Sequence, residues 1–249
     1  MLEAIQAYLI RQLPKRDDFF ECGPFSIGLS RESDNPYLNY AVPRIGVDAT
    51  DVEVQDLVRA FQSRGRKPRL EYIPGWAPKV EAALLHGGFA EESRTPLMVC
   101  RKIDLDIPNP PPGISVRTPK KETEVREMLI VQNQAFGAGP PTTSEVVKLQ
   151  RRIWDGQIVR MAIELGSKRV VGGGSCTDPD GGTVEVVGIG VSPESRGKGV
   201  GCHLTAKLAE AAFQNRVNVC FLMAATEREA RIYSRVGFKP VGEVLHISL

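Results

Sequence analysis

Six residues near the end of the chain, Arg196-Gly197-Lys198-Gly199-Val200-Gly201, combine three glycines with two cations. Glycine lets a backbone turn tightly and approach a ligand with no Cβ in the way. A β-branched run, Val184 to Val191, precedes them and reads as a strand; a helical pattern, Cys202 to Asn215, follows. The first N–H groups of a helix lack intrahelical partners and carry partial positive charge. Strand, basic glycine loop and helix start together predict a cradle for phosphate groups. The spacing is G-x-G-x-G behind an arginine. Gly197-Lys198 is followed by Gly199, not the Ser or Thr of a Walker loop, and the G-x-G-x-x-G of a dinucleotide site is absent.

Two further ionisable residues lie near this loop in the sequence pattern. Glu185 lies on the strand, six positions before Val191, and strand alternation places it on one face with Val187, Ile189 and Val191. Tyr233 lies in Ala230-Arg231-Ile232-Tyr233-Ser234-Arg235-Val236-Gly237-Phe238, on a helix read from Glu227 to Val236. Gly188 and Gly190 weaken the strand as a strand, which is understandable if another chain-like ligand lies close.

The loop, with Val191-Ser192-Pro193 before it, and the A-x-x-Y-x-x-x-G-F stretch closely resemble the GCN5-related N-acetyltransferases (GNAT). The resemblance implies acetyl-CoA as co-substrate, held at the pyrophosphate by the backbone of Arg196, Gly197, Lys198, Gly199, Val200 and Gly201. It implies main-chain contacts from Ile189, Gly190 and Val191 to the pantetheine arm. The N–H near Val191 would face the thioester oxygen, where charge builds during attack. It implies Glu185 as the general base toward an amine whose unperturbed pKa is near ~10, and Tyr233 as the acid for the leaving thiolate. Many members carry an asparagine near the start of the following helix; here Thr226 stands at about that position. Cys202, at a helix start, has a position that can lower a thiol pKa, but its role is read as helix packing, because the family usually transfers directly without an acyl-cysteine. His203 reads as a surface or rim residue.

The elements that must position these residues can be read along the chain. Met1 to Gln12 is amphipathic. A strand is read near Pro24 to Leu29, another at Tyr37 to Val42, a helix at Val52 to Ser63 capped by Asp51, a strand at Leu70 to Ile73, a helix at Pro78 to His86 and a strand at Pro96 to Lys102. Asp106 to Gly113 holds four prolines and reads as an extended spacer. From Ile114 the order β-α-α-β-β-β-α-β-α-β matches the acetyltransferase fold. The expectation is an α/β fold with a mixed sheet, divided into a GNAT-like unit at residues 1–105, a linker at 106–113 and a catalytic GNAT unit at 114–249. Leu70 to Cys100 faintly mirrors Cys220 to Ser248. The first unit's counterpart loop, Val47-Asp48-Ala49-Thr50-Asp51, has two acids and no glycine. Carboxylates repel phosphates, so this unit reads as degenerate, unable to bind CoA, with a structural or cleft-lining part.

Composition bounds the rest. The formal net charge of +2 over 249 residues offers no field for nucleic acid. No apolar run approaches a membrane span, and the N-terminus lacks signal-peptide features. Five scattered cysteines without a C-x-x-C pair fit reduced thiols in a cytoplasmic protein. Three distant histidines give no metal spacing, and no metal is expected. The amine acceptor, a small molecule or a peptide, would meet the loops Gly137 to Thr143 and Asp178 to Gly182; its identity, the acyl length and a homodimer stay open. The other reading is a non-catalytic acyl-CoA-binding or regulatory module.

Overall fold

The computed structural model describes residues 1–249. In chain order the elements are α1 (Leu2–Gln12), β1 (Asp18–Cys22), β2 (Phe25–Leu29), β3 (Tyr40–Pro43), α2 (Asp51–Gln62), β4 (Arg69–Tyr72), α3 (Pro78–His86), β5 (Ala90–Arg101), β6 (Ile114–Arg117), α4 (Glu122–Ala135), α5 (Thr143–Trp154), β7 (Val159–Glu164), β8 (Val170–Cys176), β9 (Thr183–Val191), α6 (Val200–Gln214), β10 (Val219–Met223), α7 (Glu227–Ser234) and β11 (Lys239–Ser248). The predicted mixed α/β architecture is the one observed, and the order read from Ile114 onward holds.

Internal contacts divide the chain into two units. Unit 1 comprises Met1–Leu97, Met223–Thr226 and Val241–Leu249; unit 2 comprises Met98–Leu222 and Glu227–Pro240. This division does not fall at the proline-rich segment, which belongs to unit 2. There Asp106 donates its N–H to Val236 O (3.2 Å) and His203 Nδ1 lies 3.0 Å from Pro108 O. A carbonyl can only accept, so that ring nitrogen carries the proton. His203 is thus buried and anchors the segment, rather than lying at the surface.

Unit 1 pairs β1 with β2 and β2 with β3 antiparallel, and β3 with β4 parallel. Its last partner is the C-terminal strand, with Leu245 opposite Tyr72 and Ile247 opposite Leu70. A buried polar network accompanies this pairing: Arg69 bonds Glu71 (2.5 Å) and Glu92 (2.9 Å), and lies 3.1 Å from His246 Nδ1, while Thr95 meets His246 Nε2 at 3.0 Å. The core around α1 holds Ile5, Tyr8, Leu9 and Leu13, all buried. Helix α2 is capped by Thr50, not Asp51: Thr50 and Glu53 form a complete capping box. β1 falls in a stretch, Asp17 to Arg31, that the sequence marks only as an edge region; its residues alternate between intermediate and exposed, as suits a strand at the edge of the sheet.

Unit 2 carries antiparallel β6, β7, β8 and β9, then a parallel β9–β10 step. Val159 and Met161 pack with Met128 of α4 on one face, while Ala162, Val171 and Val200 of α6 pack on the other. Period-two alternation along β7 fills both layers. The Gly237-Phe238 corner shows why glycine stands there. Gly237 has φ +95°, and a Cβ would fall 1.9 Å from Asp104 O.

Gly237→Ala is expected to lower stability by about 2 kcal/mol or more, from backbone strain plus the clash. Gly156→Ala, at φ +99° with open space around the missing Cβ, should cost about 1 kcal/mol. Denaturant midpoints of the two variants check the ranking; equal losses would contradict it.

Candidate active site

β9 does not alternate from end to end. Gly173 of β8 stands opposite Gly190, and Ser175 stands opposite Val187, so two steps on β8 match three on β9. The extra residue is a β-bulge, and Gly188 within it has φ +65°. Residues facing each other across an antiparallel pair share a face. Glu185, Val187 and Gly190 therefore share one face, and Val186, Ile189 and Val191 share the other. The sequence expectation that Glu185, Val187, Ile189 and Val191 lie together is corrected here: the bulge turns the strand over between Val187 and Ile189.

The neighbours of each face agree. A Cβ on Gly190 would meet Gln132 and Ala135 of α4, and one on Gly173 would meet Met128 and Gln132. Glu185 and Val187 are thus on the α4 side. Val191 packs with Val200, and its side chain lies 3.6 Å from where a Gly201 Cβ would be. Ile189 and Val191 are on the α6 side. Glu185 is half-buried, and its backbone is clipped by Thr177: Thr177 N donates to Glu185 O (2.9 Å) and Glu185 N donates to Thr177 Oγ1 (3.0 Å).

The bulge coincides with the end of the parallel ladder. β10 pairs with β9 at Val219↔Thr183, Cys220↔Val184 and Phe221↔Glu185 only, while β9 continues to Val191. Val186 to Val191 extend past the ladder. Ser192 donates its N–H to Val171 on β8 (2.9 Å). Alternate residues of a strand direct their backbone groups to opposite edges, so Val191 directs its N–H away from β8, to the edge beyond the ladder. Val191 O accepts from Arg196 Nε at 3.1 Å.

The glycine loop has the geometry of an open helix start. Gly197 and Gly199 have φ +76° and +83°, a region that side-chain-bearing residues rarely enter. Gly199 is the N-cap of α6, and no side chain caps the helix. The first intrahelical bond is His203 N to Gly199 O at 3.0 Å, so the N–H groups of Val200, Gly201 and Cys202 precede it. Arg196, Gly197, Lys198 and Gly199 are all exposed. The unit 1 counterpart is closed by its own carboxylates. Glu53 accepts from Thr50 N and Thr50 Oγ1 (both 2.8 Å), Lys79 pairs with Asp48 (2.8 Å) and His86 with Asp51 (3.0 Å).

Tyr233 sits on α7, its ring 6.4 Å from that of Phe238 and tilted by 59°. Burial, with Glu229 adding to it, pushes the phenol well above its ordinary pKa. It stays protonated through the neutral range, as a proton donor must. Thr226 belongs to the Met223–Thr226 segment of unit 1, so the unit 2 geometry does not include it. Cys202 packs between α6 and α7, the role its sequence position suggested. Burial raises its pKa, with Arg235 opposing and Asp106 adding; its Sγ lies 3.9 Å from Ile232 O. Desolvation outweighs the helix start. Sequence reasoning gave Gln132 a helical register position but no role. It is 9% exposed, and its Nε2 donates to Gly188 O at 2.5 Å.

The matching family model is the acetyltransferase (GNAT) family, at residues 127–238. These residues form a GNAT domain. The matched stretch holds the bulged strand, the glycine loop, α6 and the Tyr233 helix. Solved structures extend the fold likeness to the whole chain. A GCN5-related N-acetyltransferase from Kribbella flavida superposes with a TM-score of 0.83 at 21% identity, covering 100% of this chain and 95% of that one. A tandem GNAT protein from the clavulanic acid biosynthesis pathway gives 0.63 at 14% identity, covering 90% and 78%. A GCN5-related N-acetyltransferase from Sphaerobacter thermophilus gives 0.61 at 19%, covering 74% and 60%. At these identities the likeness is one of fold. A search of curated proteins finds no match. The GNAT domain marks an acetyltransferase of general type, and no group of side chains suited to a metal ion is present.

Because its thiolate is disfavoured, Cys202 should react with iodoacetamide at pH 7.5 more slowly than a free model thiol. Peptide mass spectrometry against time checks this; faster labelling would contradict the raised pKa.

Proposed function

We propose that the chain is an acetyl-CoA-dependent N-acetyltransferase that moves the acetyl group to an amine acceptor by direct attack, using unit 2. The observation that carries this reading is the juxtaposition of an uncapped, glycine-opened helix start with a strand edge that outruns its parallel ladder. The first feature suits a pyrophosphate, the second an amide-bearing arm running alongside a strand.

The residues present fit the co-substrate. The N–H groups from Gly197 to Gly201 would take phosphate oxygens, and Lys198 and Arg196 would add charge. Ile189, Gly190 and Val191 offer main chain to the arm. Acetyl-CoA supplies a thioester, an acyl group already activated toward an amine. Glu185, on the α4 face, would remove the amine proton directly or through water. Val191 N–H would favour charge developing on the acyl oxygen; removal of one such donor costs about 3 kcal/mol in related chemistry. Tyr233 would return a proton to the departing sulfur. The acceptor, a small molecule or peptide amine, would be met by the loop at 137–143, which Asn133 ties down through Gly139 O (2.7 Å), and by the turn at 178–182. The capping box and paired acids at Thr50 support a unit 1 that takes no CoA. The absence of any helix long and apolar enough to cross a membrane is compatible with a cytoplasmic site of action.

Calorimetric titration of acetyl-CoA is expected to show one site per chain, lost in Gly199→Glu, where a side chain at positive φ and a carboxylate both oppose the phosphates. Two sites would contradict the closed unit 1, and no binding would refute the proposal. Glu185→Gln should lower kcat by about a hundredfold at neutral pH with acetyl-CoA affinity retained. Tyr233→Phe should reduce kcat more than it weakens acetyl-CoA binding. Binding without turnover of any amine would favour a non-catalytic acyl-CoA-binding module.

A further inference from the structure

The two units use the same device at corresponding places, and complete it differently. In unit 1, Gln6 of α1 is fully buried. Its Nε2 donates to Pro43 O at the end of β3 (3.1 Å), and its Oε1 accepts from Ile73 N, just past β4 (3.0 Å). β3 and β4 are parallel and register at a single pair, Ala41↔Leu70. One glutamine therefore spans the gap where these strands part, using both ends of its amide. In unit 2, Gln132 of α4 donates Nε2 to Gly188 O, on the strand that parts from β10. Its Oε1 is buried and has no partner. The carbonyl partner fixes which end of the amide is nitrogen, so the orphan is an acceptor. A buried acceptor without a donor costs about 1–3 kcal/mol, and buried polar groups are nearly always satisfied.

In unit 1 the group that completes the bridge is a backbone amide N–H across the gap. We propose that in unit 2 it is an amide N–H of the pantetheine arm, accepted by Gln132 Oε1 as acyl-CoA lies along β9. Gln132 is then a cofactor-binding residue that also fixes the bulge: Nε2 holds Gly188 O and Oε1 holds the ligand. This rests on the acetyl-CoA reading above.

The test separates the two. Acetyl-CoA binding is measured by calorimetry to wild type and Gln132→Leu. The probes are acetyl-CoA, analogues N-methylated at either pantetheine amide, and 3′-phosphoadenosine 5′-diphosphate, which lacks the arm. Gln132→Leu should weaken acetyl-CoA about tenfold, the size of one buried hydrogen bond, and leave the nucleotide unchanged. N-methylation at one amide should cost about tenfold more in wild type than in the variant. Equal N-methyl penalties in both proteins would mean that Gln132 only shapes the bulge, and would overturn the proposal. Unchanged acetyl-CoA affinity with a raised KM for the amine would overturn it too, assigning Oε1 to the acceptor. Should Gln132→Leu not fold, the ¹³C shift of Gln132 Cδ in wild type decides. Downfield movement with acetyl-CoA but not with the nucleotide supports the bond, and no movement overturns it. Failure of wild type to bind acetyl-CoA at all refutes the acetyltransferase reading instead.

Discussion

The organisation of unit 2 depends on one extra residue in β9. The parallel ladder with β10 has its last pair at Phe221↔Glu185, and the bulge lies just beyond it. The bulge at Gly188 sets two residues, Gly188 and Ile189, against one, Gly174, on β8, bends the strand and increases its twist. Past Glu185 the ladder with β10 has ended, while the other edge of β9 stays bonded to β8 as far as Val191. The same residue sorts the side chains, giving Glu185 to the α4 face and Val191 to the α6 face. The Val191 N–H meanwhile points to neither face but along the sheet, to the edge beyond the ladder. The cost falls on glycine, because φ +65° is strained for other residues. Close packing follows: Gly173 and Gly190 leave α4 almost on the backbone of the sheet, with Gln132 locked between them.

The two units show how local chemistry decides whether a shared scaffold stays open. Both place a helix N-terminus after a parting strand. At α2 the capping box and neighbouring acids satisfy the free donors internally, and a carboxylate lies where an anion would bind. At α6 the cap is a glycine with no side chain, and the donors face outward. The buried glutamines repeat the contrast, one bonded at both ends and one at a single end. The contrast between the two helix starts thus rests on a few polar side chains.

The C-terminal strand illustrates what polar burial specifies. Leu245 and Ile247 would suit any apolar layer. His246 would not: it is buried beside Arg69 and Glu71 and reaches Thr95 as well. A buried ionic group left without these partners costs several kcal/mol. Burial of Arg69 opposes its charge, and Glu71 and Glu92 more than compensate, raising its pKa. The network selects β4 as the neighbour of β11 and so draws the end of the chain into unit 1.

Much of this was legible beforehand. Period-two and helical patterns located nearly every element from Ile114 onward, and glycine with cation spacing marked the loop, because both signals are local. The start of α2 was misplaced by a residue, since Thr50 could be told from Asp51 only by where the helix backbone begins. Alternation failed at Gly188 because a bulge is defined by its partner strand, which sequence does not name. The pKa of Cys202 followed burial and not the helix start. The Gln132 role and the seat of β11 are long-range pairings, invisible to spacing. The sequence by itself determined the elements, the glycine and cation spacing of Arg196–Gly201 and the acidic, glycine-free character of residues 47–51. Tertiary structure alone decided which face Glu185 occupies, which strand β11 joins and which buried amide is left with a free acceptor. The physical reason is that strand register and polar satisfaction are properties of two segments at once.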